Sequence, residues 1–245
     1  MTLLEKLRVK AGDPAAQPPV KIAFIGDSVT HGCFEIIDKG EGRIDCIYDQ
    51  QAAYPNRLKQ KIEMLFPNCP VTVINAGISG GTAPHGAARL ERDVLSASPD
   101  LTVVCFGLND AMQPAGQDGY IEGLRAIFSQ LREAGCPTVF MTPNMMCTYA
   151  CPQLIGQWQQ ETAAACADAQ NSGRMDAFMA AARELCREMG VPVCDCYRDW
   201  KRLRELNADT TYLLSNYINH PTREMHERFA ARLLETILLD DTWKD

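Results

Sequence analysis

Four short segments of the chain carry residue types that together could support nucleophilic catalysis. They are GDSVTHG with Ser28, NAGISGGT with Gly80, GLND with Asn109 and NHPTREMH with His220. A serine hydroxyl is a poor nucleophile at neutral pH and needs a base within hydrogen-bond reach, and histidine suits that role because its pKa lies near 6.5. The oxyanion that forms needs fixed donors, which glycine backbone N–H groups and an asparagine amide can supply.

Each of these residues alone has an ordinary structural role. A serine after Gly-Asp is typical of a turn or a helix cap, and an asparagine at a strand end is typical of an Asx turn. The run NAGISGG is typical of a glycine-rich strand exit, and a histidine before a proline commonly caps or packs. The joint occurrence matters more, because one crevice could gather all four segments.

The elements that must position these residues alternate along the chain. Apolar, β-rich runs predict five strands, and apolar residues at spacings of three and four predict helices between them. This alternation predicts a parallel sheet covered on both faces, hence an α/β protein built as a three-layer α/β/α sandwich of about five strands. The predicted strands are VKIAFIGD, VTVINA, DLTVVCFG, PTVFMT and VPVCDCY, and the predicted helices cover 54–66, 84–96, 119–134, 175–189 and 222–239.

The candidate residues follow the strands of this predicted sheet. In open parallel sheets, chemistry takes place beyond the carboxyl ends of the strands. Ser28 follows the first predicted strand, Gly80 the second and Asn109 the third, while His220 precedes the last predicted helix. We therefore expect the four residues to meet at one edge of the sheet.

Composition and charge exclude several other classes of protein. The chain has 245 residues, 46% of them hydrophobic, and a net charge of −7. It can bury a core, but it offers no basic surface for nucleic acid or for an anionic membrane. No apolar run approaches the about 20 residues that span a bilayer, and the first residues lack the apolar stretch of a signal peptide. We therefore expect a cytoplasmic protein.

The cysteines and the glycine-rich loops predict neither a metal nor a cofactor. An odd number of cysteines, eleven, without an export signal argues against a disulfide framework. No cysteine pair has a partner pair at zinc-site spacing, so most of the thiols are expected to be small buried apolar groups. A nucleotide or flavin site would need a phosphate-binding loop after the first strand, and GDSVTHG is not one.

Taken together, the four motifs resemble the sequence blocks of the GDSL, or SGNH, hydrolases. GDSV at 26–29, NAGISG at 75–80, GLND at 107–110 and HP at 220–221 match the four blocks in order, across about 21–239. The resemblance implies a flavodoxin-like fold and hydrolysis of esters or thioesters without a cofactor. It also implies Ser28 as nucleophile, His220 as base, and an oxyanion hole from the Ser28 and Gly80 N–H groups and the Asn109 amide. We expect one such domain at 21–245, with an N-terminal extension at 1–20.

One departure from the family pattern concerns the group that orients His220. The family usually has an acid three residues before the histidine, and Tyr217 stands there. The third group of a triad holds the imidazole and stabilises its charged form. We favour a backbone carbonyl in that role, which would leave a Ser–His dyad. The candidates are the carbonyls of Tyr217 or Ile218, the side chains of Asn216 or Asn219, and the carboxylates of Asp195 or Asp209.

Other polar residues near the motifs are expected to be structural. His31 is expected to be a structural residue or to lie at the rim of the pocket. His85 has no partner pattern, and His226 is expected to lie at the surface or in a cap. Asp27 and Asp110 are expected to make local turn hydrogen bonds.

The segments around the site bear on the substrate. A Met- and Gln-rich insertion at about 143–173 could be a lid or a helical excursion packed on the body. The stretch 33–50 has mixed charges that suit a polar mouth better than a lipid surface. These features favour a small soluble O-acyl ester, such as an acetylated carbohydrate, as the substrate. The alternatives are a lysophospholipase or thioesterase of the same family, and a non-catalytic binding module that lost the triad acid.

Overall fold

A computed structural model of the chain describes residues 3–41, 43–113 and 116–239. The sheet strands are β1 (Val20–Gly26), β4 (Val71–Gly77), β5 (Leu101–Cys105), β6 (Thr138–Met141) and β7 (Val193–Cys194), and a separate hairpin pairs β2 (Cys33–Gly40) with β3 (Arg43–Tyr48). The α-helices are α1 (Leu3–Gly12), α2 (Ser28–His31), α3 (Tyr54–Leu65), α4 (Ala83–Asp93), α5 (Gly116–Glu133), α6 (Gln157–Asn171), α7 (Arg174–Met189), α8 (Cys196–Glu205) and α9 (Arg223–Leu239). Short 3₁₀ turns cover Leu95–Ala97, Asp110–Met112 and Thr210–Leu213.

The sheet has five strands in the order β4-β1-β5-β6-β7, all parallel, which confirms the predicted α/β architecture. β5 is buried along its whole length, as an apolar central strand must be. After β1 the chain crosses to β4 on one side, and it later returns to β5 on the other. Residues at the carboxyl end of β1 therefore lie at the switch point of the sheet, where such folds place their crevice.

Right-handed crossovers assign the helices to two layers. The β1–β4 connection runs through α3 in one direction along the sheet, and the later connections run through α4, α5 and α7 in the other. The helix contacts agree, because α3 packs against α9, whereas α4 packs against α5 and α5 against α7. The N-terminal helix α1 packs on the core through Leu3 and Leu7.

Two segments differ from the sequence-based expectation, and a third, the insertion, follows one of its two alternatives. Within the stretch 33–50, β2 and β3 form a hairpin, and in the described part of the chain these two strands pair only with each other. The last sheet strand has two residues, because Asp195 caps the next helix, α8, by accepting a hydrogen bond from the Arg198 N–H at 3.1 Å. The insertion at 143–173 packs on the body before α6 begins, with Met145, Met146 and Cys147 buried.

The remaining expectations concern membranes, metals and cysteines. Across the described ranges, no helix is both long and apolar enough to cross a membrane. Nor does the described part of the chain group three His, Cys, Asp or Glu side chains as a metal site. All eleven cysteines are free thiols, and every one except Cys46 is buried.

Candidate active site

Ser28 is the first residue of the one-turn helix α2, directly after β1. Asp27 caps this helix, because its Oδ1 accepts a hydrogen bond from the Val29 N–H at 2.9 Å. The turn lies tightly against the end of β4, where a Cβ on Gly77 would come within 2.3 Å of the His31 nitrogen. Only glycine fits there, so the glycine at the end of β4 sets how closely the serine turn approaches the sheet edge.

His220 reaches Ser28 from the far end of the chain. Its Nε2 lies 2.9 Å from the Ser28 Oγ, and both side chains are buried. The loop before α9 is held by Asn216, whose Oδ1 accepts hydrogen bonds from the N–H groups of Ile218, Asn219 and His220 at 2.9 to 3.0 Å. This local network fixes the histidine backbone before any contact with the serine is made.

The backbone carbonyl of Phe34, at the start of β2, accepts the second hydrogen bond of the His220 ring. The distance from its oxygen to His220 Nδ1 is 3.1 Å. A carbonyl can only accept, so Nδ1 carries the hydrogen and Nε2 presents its lone pair to the serine hydroxyl. The same carbonyl accepts a hydrogen bond from the Ser215 Oγ at 2.9 Å. The imidazole is therefore held in the tautomer that a general base requires.

The acceptor is a backbone carbonyl, the kind of group favoured from the sequence, but it belongs to Phe34 and not to any residue named there. The Ile218 carbonyl accepts the Cys147 N–H at 2.7 Å, whereas Tyr217 has a left-handed backbone and its ring packs on Tyr212. The side-chain oxygens of Asn216 and Asn219 accept hydrogen bonds from groups of their own loop.

The two carboxylates proposed from the sequence are engaged elsewhere. Asp195 pairs with the Arg183 guanidinium at 2.9 and 3.2 Å, and Asp209 accepts hydrogen bonds from the Tyr149 hydroxyl and the Thr211 N–H. Both also cap the element that follows them, Asp195 the helix α8 and Asp209 a 3₁₀ turn. Phe34 carries no sequence signal for its role, because any residue has a carbonyl.

The three oxyanion-hole candidates lie on neighbouring strand exits. Ser28 opens a helix, and the N–H groups of a first helical turn have no acceptor within that helix. Gly80 lies in the exposed loop after β4 with a φ of 76°. The Asn109 Nδ2 donates to the Gly81 carbonyl at 3.0 Å, which ties this amide to the Gly80 loop and leaves its second hydrogen available. The Gly81 N–H is used within its own loop, because it donates to the Ile78 carbonyl.

Burial shifts the pKa values of the ionisable groups around the serine. It lowers the pKa of His220 to about 4, a shift that the Phe34 carbonyl and the Glu35 carboxylate oppose. Burial also raises the pKa of Asp27 to about 7 and that of Asp110 to about 6. Asp27 makes the local bond expected of it, by accepting the Val29 N–H. Asp110 instead accepts the Ala83 N–H at 2.8 Å from 27 positions away, so its bond joins the Asn109 segment to the start of α4.

The structure corrects the expectation for His226. This side chain is fully buried, its Nδ1 accepts the Tyr54 N–H at 3.1 Å, and its ring lies 4.7 Å from that of Phe34. It belongs to the apolar stripe of α9, in which Phe229 and Leu233 follow at spacings of three and four, and that periodicity was the available signal. His31 is half-buried against Tyr48, as a residue at the rim would be.

A groove runs between the hairpin and the insertion. It has a volume of about 910 Å³, and the Gln159 Nε2 bridges its two walls by donating to the Ile36 carbonyl at 2.9 Å. Side chains that line the groove include Ile37, Asp38, Glu41, Gln153, Gln157 and Trp158.

Comparisons with known proteins identify a family and similar folds. The sequence pattern of the GDSL-like lipase/acylhydrolase family matches residues 24–228. An acetylxylan esterase of Geobacillus stearothermophilus is 37% identical over 90 residues, which make up 37% of this chain and 39% of that protein. An arylesterase of Vibrio mimicus is 28% identical over 127 residues, 52% of this chain and 56% of that protein. The matched part of the chain therefore spans well under two thirds of either relative.

Solved structures extend the similarity of the fold. A variant of an acetyl-xylooligosaccharide esterase from Geobacillus stearothermophilus superposes with a TM-score of 0.64 over 91% of this chain and 95% of that one, at 22% identity. At that identity the similarity concerns the arrangement of the elements.

Proposed function

The chain belongs to the GDSL-like lipase/acylhydrolase family, and on that premise we propose that it is a carboxylic ester hydrolase acting through an acyl-enzyme on Ser28. The observation that carries the proposal is the pair of hydrogen bonds on His220. Its Nε2 lies 2.9 Å from the Ser28 Oγ, and its Nδ1 lies 3.1 Å from the Phe34 carbonyl. This is the geometry of an activated nucleophile whose base is itself oriented by a third group.

In the first half of the proposed reaction, the Ser28 Oγ attacks the ester carbonyl while His220 Nε2 takes the hydroxyl proton. The tetrahedral intermediate then collapses, the bond to the alcohol oxygen breaks, and His220 returns the proton to the leaving alcohol. In the second half, His220 takes a proton from water while the water oxygen attacks the acyl carbonyl. The second tetrahedral intermediate collapses, the bond to the Ser28 Oγ breaks, and His220 returns the proton to that oxygen as the carboxylic acid is released.

The oxyanion of both tetrahedral intermediates is proposed to lie against Ser28, Gly80 and Asn109. The Ser28 and Gly80 N–H groups and the free hydrogen of the Asn109 amide are its donors. Such donors are fixed before the reaction, so they stabilise charge without reorganisation. Removal of one of them typically costs on the order of 100- to 1000-fold in rate, which makes Asn109→Ala an informative variant.

The Phe34 carbonyl makes the proposed machinery a dyad with a neutral orienting group. A carboxylate would orient the imidazole and also stabilise the imidazolium by its charge, whereas a carbonyl supplies a dipole only. The low pKa of His220, about 4, fits this difference. The base is weaker than an ordinary histidine, and it is unprotonated over a wider pH range.

We propose an O-acylated carbohydrate as the substrate class, because of the groove between hairpin and insertion. The groove wall at Ile36 lies two strand residues beyond Phe34, about 7 Å along β2 at the usual rise per residue. Trp158 offers an apolar ring, and Gln153, Gln157 and Asp38 offer amide and carboxylate groups for hydroxyls. The names of the Geobacillus stearothermophilus relative and of the structural neighbour from the same organism refer to acetylxylan or acetyl-xylooligosaccharide.

The experiment compares three esters on the wild type and on Ser28→Ala. These are an acetylated xylo-oligosaccharide, 4-nitrophenyl acetate and a lysophosphatidylcholine. Preferred hydrolysis of the acetylated sugar, lost in Ser28→Ala, supports both the reaction and the substrate class. Preference for the lysophospholipid contradicts the substrate class alone.

A groove variant separates binding from chemistry. Trp158→Ala is expected to raise KM for the oligosaccharide about 10-fold, equivalent to one lost contact of about 1.4 kcal/mol, and to leave 4-nitrophenyl acetate unaffected. Met64→Ala is the matched control, because Met64 is a large exposed apolar side chain on α3 outside the groove. Equal KM values in all three proteins contradict the groove as a sugar site.

A further inference from the structure

The carbonyl that orients His220 belongs to a hairpin with little support of its own. Among the described residues the two hairpin strands pair only with each other, and β3 is exposed at five of its six positions. An isolated two-stranded hairpin is marginally stable in water. A catalytic hydrogen bond to Phe34 therefore needs the base of the hairpin to be held by the rest of the protein.

Arg223 holds the base of the hairpin from the first turn of α9. Its Nη1 and Nη2 donate to the two Glu35 carboxylate oxygens at 2.6 and 3.3 Å, and its Nε donates to the Asp49 Oδ2 at 3.2 Å. Its guanidinium carbon lies 4.3 Å from the centre of the Phe34 ring. The single Arg223 guanidinium therefore contacts Phe34, Glu35 and Asp49.

Asp49 and Glu35 both lie at the base of the hairpin, Glu35 near the start of β2 and Asp49 after β3. Asp49 comes directly after β3, and its N–H donates to the Gly32 carbonyl at 2.8 Å, just before β2 begins. Its Oδ1 accepts the Ala52 N–H, which leaves Oδ2 for Arg223. The contacts of Arg223 therefore close the hairpin at its base, where Phe34 lies.

Arg223 and His220 share one rigid support. Arg223 is three residues after His220 and begins α9, which packs along α3. The Ser215 Oγ also donates to the Phe34 carbonyl, and the ring of His226, itself on α9, lies against the Phe34 ring. The start of α9 therefore sets the positions of both the His220 imidazole and the Phe34 carbonyl.

We propose that Arg223 is a positioning residue that fixes the Phe34 carbonyl against His220, a role that rests on the proposed function. In a triad, a carboxylate orients the imidazole directly. Here the neutral Phe34 carbonyl orients it, and the ion pairs of Arg223 hold that carbonyl in place. Arginine suits the role better than lysine, because its planar fork binds Glu35 and Asp49 together while its face stacks on Phe34. The Arg223 and Glu35 side chains are about one third exposed, so the pair contributes modestly to stability.

The test measures kcat and KM for 4-nitrophenyl acetate in Arg223→Met and Arg223→Lys. A displacement of about 1 Å away from the reacting atoms can cost on the order of 100-fold. We expect kcat to fall about 100-fold in Arg223→Met, with KM within twofold of wild type, and to recover partly in Arg223→Lys. The matched control is Arg125→Met, which breaks the two-bond pair with Glu188 at 2.8 and 2.9 Å between α5 and α7. That variant is expected to keep wild-type kcat.

A substitution of the partner gives a second route to the same result. Glu35→Gln keeps the side-chain shape but loses the charge that Arg223 binds, so it should lower kcat in the same direction. The double variant Glu35→Gln with Arg223→Met should lose no more than Arg223→Met alone, because both act through one contact. Wild-type kcat in both single variants overturns the proposal, as does an equal loss in Arg125→Met.

The ring of His220 supplies a readout that does not depend on activity. In the wild type its Nδ1–H is held by the Phe34 carbonyl, so the imidazole ¹⁵N and Nδ1–H resonances should show one fixed tautomer. In Arg223→Met they should shift toward averaging between tautomers, and in Arg125→Met they should not change. A wild type that cleaves no ester refutes the proposed function, whereas unchanged His220 resonances in Arg223→Met refute the positioning role separately.

Discussion

The pH dependence of ester hydrolysis should follow the burial of His220. The imidazole must be neutral to accept the Ser28 proton, and burial lowers its pKa to about 4 from an ordinary value of 6.5. At pH 5, a base with a pKa of 4 is about 90% neutral, and one with a pKa of 6.5 is about 3% neutral. The two cases differ roughly 30-fold in the active fraction, which makes the distinction simple to measure.

The assay is kcat/KM for an acetylated oligosaccharide between pH 3.5 and 8, because kcat/KM reports the free enzyme. Far-UV circular dichroism must confirm the fold at each pH. His220 and His226, the latter with its pKa lowered to about 3, are buried neutral groups. They bind protons more weakly in the folded state than in the unfolded state, so stability falls as the pH drops below about 6.5 toward those values.

We expect a plateau down to about pH 5 and half of the maximal kcat/KM near pH 4. A midpoint near 6.5 in a folded protein would refute the reasoning, because it would mean that His220 titrates as an exposed or charge-stabilised imidazole. A midpoint near 7 that disappears in Asp27→Asn would assign the titration to the Asp27 carboxyl, whose pKa burial raises to about 7.

Two further predictions concern carboxylates. Asp195→Asn and Asp209→Asn should each keep kcat within about threefold of wild type, because Asp195 pairs with Arg183 and Asp209 with Tyr149. A kcat loss near the 10⁴-fold typical of a neutralised triad acid would contradict the assignment of the Phe34 carbonyl as the orienting group. Asp27→Asn should gain stability relative to wild type as the pH rises from 5 to 8.5, by up to a few kcal/mol. The reason is that wild-type stability falls as the pH rises through the raised pKa of Asp27. Urea unfolding at both pH values checks this, and an identical difference at both would contradict it.

The sheet and the positions of three candidate residues were predictable because they rest on local patterns. Apolar runs such as DLTVVCFG become buried strands, and a parallel sheet brings strand exits to one edge. Ser28, Gly80 and Asn109 therefore occupy neighbouring loops in the structure, as expected. His220 was placed through its motif, and the structure brings it to Ser28 across 192 positions of the chain.

A backbone carbonyl was the favoured orienting group of His220, but the residue that supplies it was not predictable, since it depends on tertiary contacts without a residue-type signature. The segment 33–48 has mixed charges and exposed positions, so its hydrophobic pattern does not indicate a strand pair. A backbone carbonyl leaves no mark in the sequence. The expected acid position, Tyr217, directed attention to the histidine loop, whereas the acceptor lies 186 positions earlier at Phe34.

The helix α8 and the burial of His226 illustrate two other limits. VPVCDCY has the alternation of a strand, but Asp195 caps a helix within it, and a side-chain cap overrides a weak strand pattern. His226 is a polar residue on an apolar helix face, where a hydrogen bond from the Tyr54 N–H makes its burial possible. Such pairings between distant segments appear only once the fold is known.

The most direct test of the account is covalent labelling of the serine. A fluorophosphonate reacts with a serine only when a base activates it, and intact-mass analysis counts the adducts. We predict one adduct on the wild type, none on Ser28→Ala, and labelling slowed by at least 100-fold on His220→Ala. Absence of an adduct on folded wild type, or an adduct that persists in Ser28→Ala, would contradict a Ser28 nucleophile activated by His220.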